Sequence, residues 1–311
     1  MRAAPAGRGT EQGRGRVLVL GAGYLASRVG RRMAALGHGV TLSSRRRPAG
    51  VPGGPAGWHP VDVRDRGSVR ALVDAVRPDA VVLAHGPSDI TWCEANPGPT
   101  AAAHGGGARH LAEVLGGRRA LLVSTDNVFP GRRASYGESD ATEPANAYGR
   151  AKLAAEDTLL AAGGVLVLRA SLVYGWDPTG LRPNFFTTCA QKLSAGQPVT
   201  VPEGRWNSPV LVDDVADWAA ALLGGPHTGV VHLGGPRRLS RVEWARHIAR
   251  CCGADPDLVR PAPQGDTAYA CRPRNACLHS ERSALLPELA GLEPADVLEA
   301  SEKLISEGRP W

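Results

Sequence analysis

The chain has 311 residues, 43% hydrophobic and 21% charged, an ordinary globular composition long enough for one large domain or two interleaved ones. A net charge of +6 without aromatic-interleaved basic stretches gives no nucleic-acid surface, and no apolar run reaches the ~18 residues of a membrane span, so a soluble cytoplasmic protein is expected. The six cysteines show no CxxC pair and no partnered histidine spacing, which predicts reduced thiols with neither a disulfide framework nor a metal site.

Residues 1–15, MRAAPAGRGTEQGRG, lack apolar periodicity and are expected to form a disordered basic tail. The pattern changes at Arg16: Val17 to Leu20 reads as a short buried strand, Gly21-Ala22-Gly23-Tyr24-Leu25-Ala26 as a turn, and Ser27 to Leu36 as an amphipathic helix. This is a GxGxxA dinucleotide fingerprint. Gly21 permits the tight turn, Gly23 lets backbone approach a pyrophosphate at the helix N-terminus, and Ala26 lets helix pack on strand; Tyr24 and Leu25 complete the cofactor-binding turn.

A second strand, Gly39 to Ser43, ends in Ser43-Ser44-Arg45-Arg46-Arg47. No carboxylate stands there to hold a ribose diol, and guanidinium groups beside Ser44 suit a 2'-phosphate, so NADPH is expected over NAD, with Arg45 and Arg46 as its readers. After a Pro/Gly loop from Pro48 to Gly57, a strand end places Asp62 and Val63 beside the adenine, although Asp62 also reads as a solvated turn residue or a helix cap. Ser68 to Val76 is a helix, and Asp79 to Leu83 a buried strand ending in Ala84-His85-Gly86, backbone that lies beside a bound dinucleotide. His85 itself reads better as a packing residue than as a catalyst.

A long helix is expected from Trp92 through Ala108 to Leu115, weakened by His104-Gly105-Gly106-Gly107 in its middle. Leu121 to Thr125 is a buried strand that delivers Ser124 and Thr125 to the sheet mouth, and Tyr148 with Lys152 lies one turn apart on the helix that follows. A free phenol ionises near pH 10, and a neighbouring ammonium favours its phenolate, so the pair suits proton donation to a carbonyl oxygen. Val165 to Arg169 is a further strand, and Ser171 to Gly175 a strand end on the substrate side. The alternating βα rhythm then lapses. A helix opens at Asn184, a short strand spans Gln197 to Pro202, Ala216 to Leu223 is helical, Val230 to Leu233 returns to the sheet, and Val242 to Cys251 is helical. The fold class is therefore α/β: a Rossmann-type doubly wound parallel sheet with a smaller, interleaved C-terminal substrate domain. Residues 16–170 form the cofactor domain and 171–311 mainly the substrate domain, with 208–234 returning to the Rossmann core.

Four segments in this order, GxGxxA, Ser124-Thr125-Asp126-Asn127-Val128-Phe129, Tyr148-Gly149-Arg150-Ala151-Lys152 and Leu168-Arg169-Ala170-Ser171-Leu172-Val173-Tyr174-Gly175, resemble the extended short-chain dehydrogenase/reductase superfamily. Tyr136-Gly137-Glu138, Asn184-Phe185, Ser208-Pro209 and Arg272-Pro273 make the chain most like its dTDP-4-dehydrorhamnose reductase branch. The resemblance implies an NADPH-dependent ketoreductase of a nucleotide-linked 4-keto-6-deoxysugar. Tyr148 donates the proton, Thr125 bonds the same carbonyl oxygen, and Lys152 holds the nicotinamide ribose. It also implies that Asp126, Asn127, Asn184, Arg205 and Arg272 bind the substrate. Asn184, Arg205 and Arg272 read equally as structural hydrogen-bonders, and Trp206 either stacks on a base or packs its loop.

The glycine turn is one residue shorter than usual in the superfamily, His104 stands where many relatives carry Asn, and Asn127 replaces a Tyr. Relatives that dehydrate a sugar need an Asp-Glu pair after the threonine; Asp126-Asn127 has an amide there, which cannot abstract the proton. The alternatives are an NAD-dependent epimerase and a non-catalytic NADP-binding regulatory subunit. The helix around Ala101 to Leu115 and the one from Tyr148 form a dimer interface in many relatives, so a homodimer is possible.

Overall fold

The computed structural model describes residues 15–48, 57–177 and 183–308. The expected basic tail and the Pro/Gly loop lie outside the described residues, apart from Gly15, Pro48 and Gly57. In chain order the first half is β1 (Arg16–Leu20), α1 (Tyr24–Ala35), β2 (Gly39–Ser44), β3 (Trp58–Pro60), α2 (Arg66–Val76), β4 (Ala80–Leu83), α3 (Ile90–Ala95), α4 (Pro97–Ala101), α5 (Gly107–Ala112), β5 (Arg119–Thr125), α6 (Ala147–Ala162) and β6 (Val165–Ala170). There follow β7 (Val173–Tyr174), α7 (Phe185–Ser194), β8 (Val199–Pro202), β9 (Trp206–Asn207), β10 (Val210–Leu211), α8 (Val212–Gly224), β11 (Gly229–Leu233), β12 (Leu239–Ser240), α9 (Arg241–Cys251), β13 (Val259–Ala262), β14 (Asn275–Ala276) and α10 (Val297–Ser306).

The apolar strands assemble into a seven-stranded sheet in the order β11-β6-β5-β4-β1-β2-β3, every pair parallel. Strands buried on both faces carry Val and Leu without alternation, which is why RVLVL, AVVL and VLVLRA read as continuous apolar runs. Val29 and Met33 of α1 and Val215, Ala219 and Leu222 of α8 pack on one face, while Val69, Leu72, Leu111, Ala155 and Leu159 of α2, α5 and α6 pack on the other. Thus α8 and β11, from the second half, complete the sheet layer.

Few aromatics enter these two aliphatic cores. They gather in a third cluster, where Trp244 meets Tyr174 at 5.1 Å and Phe185 at 5.2 Å between α7 and α9. The sheet cores therefore rest on Ala, Val and Leu, while this second module adds a cluster of aromatic rings.

Two helical expectations need correction. The helix expected from Trp92 is interrupted at Asn96: Pro97 has no N–H to continue it and instead occupies the first position of α4. The weak His104-Gly105-Gly106-Gly107 stretch stays helical, with Ala102–Gly106 widened into a π turn between α4 and α5. The first helix also begins at Tyr24 rather than Ser27, so the glycine turn leads straight into it.

Candidate active site

The carboxyl end of β5 is held against the start of α6 by two amides. Asn146 caps α6, its Oδ1 accepting from Gly149 N at 2.8 Å, while its Nδ2 donates to Asn127 Oδ1 at 3.0 Å. Gly149 lies so close to this turn that a Cβ there would stand 2.1 Å from Asn127 O. Backbone contact thus places Tyr148, half-buried, at the mouth of the sheet and Lys152, 3% exposed, one turn deeper.

Lys152 Nζ donates to Val123 O at 2.6 Å, anchoring the ammonium to β5. Burial pulls its pKa down to about 8 against the opposing pull of Glu156. On the next turn Glu156 is itself buried and paired, accepting from Ser124 Oγ and from Arg169 Nη2 at 2.7 Å. A carboxylate, two cations and a hydroxyl thus hold α6 in register behind Tyr148.

Thr125 Oγ1 accepts from Asn127 N and Nδ2, each at 3.2 Å, and donates to Asp126 Oδ1 at 3.2 Å. Asn127 Nδ2 also donates to Asp126 Oδ1 at 2.7 Å. Asn127 therefore braces Thr125, Asp126 and Asn146 together. Asp126 is pushed up to about 6 by burial, offset by Arg205, Ser171, Thr125 and Arg241. His104 is 2% exposed with its ring edge-on to Tyr148 at 5.5 Å, and Nε2 donates to Pro87 O at 2.9 Å. Burial and then the charge of Lys152 push His104 well below the usual imidazole range, so it stands neutral beside the phenol.

Two strands away on the same carboxyl edge of the sheet, Gly21 has φ +131° and its missing Cβ would meet Ala84 O at 2.3 Å, so the turn is pressed onto the end of β4. Gly23 caps α1 with no side-chain partner, no acidic residue follows in the first turn, and nothing lies within 4 Å of where its Cβ would be. An open helix N-terminus with unpaired amides fits a pyrophosphate. Among the described residues the Tyr24 hydroxyl, buried beside Gly175, has no hydrogen-bond partner; Leu25 is half-buried behind it.

Ser44 Oγ donates to Arg46 O at 2.6 Å and accepts from Trp58 Nε1 at 2.9 Å, shaping the turn from which Arg45 and Arg46 project into solvent. The Asp62 carboxylate is gripped by Arg64 at 2.9 and 2.6 Å and held at about 2. Asp65, rather than Asp62, caps α2. The Val63 carbonyl accepts from His110 Nδ1 at 3.0 Å. Gly86 has φ +92° and would clash with the His104 ring at 2.4 Å if it carried a Cβ. His85 Nε2 donates to Ala103 O at 3.1 Å, and burial lowers its pKa to about 4, as a packing residue requires.

Residues expected to hold the substrate divide into two groups. Asn184 is the cap of α7, its Oδ1 accepting from Thr187 N at 3.1 Å and its Nδ2 donating to Gly175 O at 2.7 Å, the structural hydrogen-bonding that its residue type also allows. Trp206 packs beneath Arg238, 4.1 Å from guanidinium carbon to ring centroid. Arg205 and Arg272 instead converge on Tyr269, at 5.8 and 4.9 Å from its ring centroid, with Arg241 at 5.5 Å.

Sequence reasoning missed Arg241, Tyr269 and Ser171. Arg241 begins α9, where a surface cation is the ordinary reading, yet it is 2% exposed. Among the described residues Arg205 Nε and Arg241 Nη1 are buried without partners, and burial brings Arg205 down to about 9. Ser171 Oγ contacts Asp126 Oδ2 at 3.2 Å. A basic cleft of about 560 Å³, lined by Arg132, Arg272, Arg274 and Ala145, opens beside the Asn146 cap. A second cleft of about 660 Å³ by Trp218 and Leu285 contains none of the predicted site residues.

Among the described residues, the nearest set of metal-type ligands is formed by His247, Cys251 and Glu302 on α9 and α10. His247 and Cys251 are one helical turn apart, so the expectation that no cysteine has a partnered histidine fails here. None of the six cysteines forms a disulfide. No described helix is long and apolar enough to cross a membrane.

The family described as the RmlD substrate binding domain matches residues 15–301. A dTDP-4-keto-6-deoxy-D-glucose reductase of Streptomyces niveus is 37% identical over 71% of this chain and 77% of its own length. A dTDP-4-dehydrorhamnose reductase of Mycobacterium tuberculosis is 34% identical over 70% of this chain and 72% of its own. The crystal structure of a Bacillus anthracis dTDP-4-dehydrorhamnose reductase in complex with NADP superposes with a TM-score of 0.80 at 22% identity, covering 94% of this chain and 99% of that one.

Proposed function

The chain belongs to the family of the RmlD substrate binding domain, and from that premise we propose that it is an NADPH-dependent reductase of a nucleotide-linked 4-keto-6-deoxysugar. The observation that carries this reading is the junction of β5 and α6. There Lys152 is anchored to β5 through Val123 O, Tyr148 precedes it by one turn of α6, and Thr125 ends the strand, with no carboxylate following Asp126 to serve a dehydration.

NADPH supplies the hydride when bound. Gly21, Gly23, Tyr24 and Leu25 would hold its pyrophosphate at the N-terminus of α1, where the open space before Gly23 fits it. Arg45 and Arg46, with Ser44, would take the 2'-phosphate. Asp62, Val63, Ala84, His85 and Gly86 would line the adenine and ribose, chiefly through backbone, since the Asp62 carboxylate is paired with Arg64.

Tyr148 donates its phenolic proton to the substrate carbonyl oxygen, and the Lys152 ammonium stabilises the phenolate left behind. Thr125, whose hydroxyl turns its proton from Asp126 to the same oxygen, orients the carbonyl. Arg205, Arg241 and Arg272 around Tyr269, with the basic cleft at Arg132 and Arg274, would receive the nucleotide diphosphate, giving the unpartnered guanidinium N–H groups their acceptors. Asp126 and Asn127 set the wall facing the sugar.

We assign a cofactor half to about residue 170 and a substrate half after it, a cytoplasmic setting that suits six unbridged thiols, and a homodimer through the α3–α6 face, where Trp92 is 44% exposed. Incubation of the protein with NADPH and a dTDP-4-keto-6-deoxysugar tests the reading. Stoichiometric NADPH oxidation supports it. Isomerised sugar without cofactor consumption indicates an epimerase, and binding without turnover a regulatory subunit.

A further inference from the structure

His247 and Cys251 lie one turn apart on α9, and Glu302 of α10 faces them across the helix pair. His247 Nε2 stands 3.4 Å from Cys251 Sγ and 3.7 Å from Glu302 Oε1, and the three ligand atoms lie within 4.8 Å of one another. Bond lengths of about 2.1 Å to nitrogen or oxygen and 2.3 Å to sulfur, at tetrahedral angles, separate such ligands by about 3.4 to 3.6 Å. The two spacings from His247 Nε2 lie near the edges of a tetrahedron around a small divalent ion, and the third is at most 4.8 Å.

We propose that His247, Cys251 and Glu302 bind one zinc-class divalent cation that clips α10 to α9, at a site separate from the reductase centre. A thiolate, a carboxylate and a neutral imidazole balance the ion's two charges, and borderline N, S and O donors select zinc or cobalt over magnesium or calcium. Binding releases the Cys251 thiol proton. The His247 Nε2–H, donated to Leu298 O at 3.0 Å in this structure, moves to Nδ1 so that Nε2 can ligate. Glu302, with 64% of its side chain exposed, leaves the site open to entry from solvent.

The clip has a mechanical consequence. α10 lies near the end of the chain and shares the aromatic third core through Val297 and Ala300, so fastening it to α9 stabilises the substrate half without touching Tyr148.

The test is cobalt titration of the chelator-stripped full chain, followed by thiolate-to-cobalt charge-transfer absorption, beside zinc-dependent shifts in thermal unfolding. One equivalent is expected, with the band lost and affinity at least a hundredfold weaker in Cys251→Ser, about tenfold weaker in Glu302→Gln, and unchanged in Cys252→Ser. Zinc should raise the unfolding midpoint of the wild type and not of Cys251→Ser. Absence of saturable cobalt binding, a band that survives in Cys251→Ser, or wild-type affinity in Glu302→Gln overturns the site. Glu302 is exposed, so its variant keeps the test decisive even where a cysteine variant folds poorly.

Discussion

Replacing Gly149 by alanine tests whether backbone contact between α6 and the turn after β5 sets the geometry of catalysis. The added Cβ would stand 2.1 Å from Asn127 O and 3.0 Å from Pro144 Cβ, whereas ordinary contact begins at 3.4 Å. Relieving the carbonyl clash requires a movement of about 1.3 Å, the difference between those distances, by a helix start whose next neighbours are Tyr148 and Asn146. Overpacking of this kind costs about 1–3 kcal/mol. A displacement near 1 Å at a reacting group costs roughly a hundredfold in rate. Steady-state NADPH oxidation with a dTDP-4-keto-6-deoxysugar should therefore show kcat reduced about a hundredfold. NADPH affinity, set largely at the turn after β1 two strands away, should stay within about threefold. A kcat within threefold of wild type would refute the claim that this contact positions Tyr148.

Arg45→Ala should raise KM for NADPH by about tenfold or more while leaving KM for NADH unchanged, because a charge-assisted contact to the 2'-phosphate is worth about 1.5–3 kcal/mol; equal effects on both cofactors would reassign the arginine. Glu156→Gln leaves Arg169, whose side chain is 7% exposed, without its buried countercharge and should destabilise the fold by about 3–5 kcal/mol in urea unfolding. A loss below about 1 kcal/mol would show that the pair is not an effective brace. Lys152→Met probes the buried ammonium through pH. Its pKa is lowered from 10.5 to about 8, so within that window the native chain holds fewer protons here than the unfolded chain, and rising pH stabilises the native state. Below about 8 the burial penalty is complete, so the stability difference between Lys152→Met and wild type should narrow as pH climbs to 10.5. A constant difference would place the lysine in a solvated setting.

The cofactor half was legible because its signals are local. An apolar run, a glycine pair and a helix lie within a few residues of one another, and the parallel sheet follows from strands that are buried on both faces. Tyr148 and Lys152 share one helix face, and Thr125 ends the preceding strand, so one hairpin of chain carries the chemistry. Arg241, Tyr269 and Ser171 were not legible, since a buried arginine at the start of an amphipathic helix looks like a solvated one until tertiary contacts bring Arg205 and Asp126 beside it.

Asn184 was legible in part: its Asn-Phe-Phe-Thr context is a capping box, with Thr187 Oγ1 accepting from Asn184 N at 2.9 Å, the structural reading its residue type allowed. The interruption at Pro97 was visible in the residue itself, whereas the π turn carrying His104 depends on packing against α6 and has no sequence signature of its own. His247 and Cys251 share a face of the helix already expected over Val242 to Cys251, whereas Glu302 joins them from a distant helix.

The central claim is that Tyr148 delivers the proton in a reduction driven by NADPH. Single-turnover measurement on Tyr148→Phe, with NADPH binding followed separately by fluorescence, addresses it most directly. NADPH affinity should be unchanged and turnover lowered at least a hundredfold, within the roughly 10²–10⁴ of general acid catalysis. Turnover above about a tenth of wild type, with NADPH bound, would contradict it.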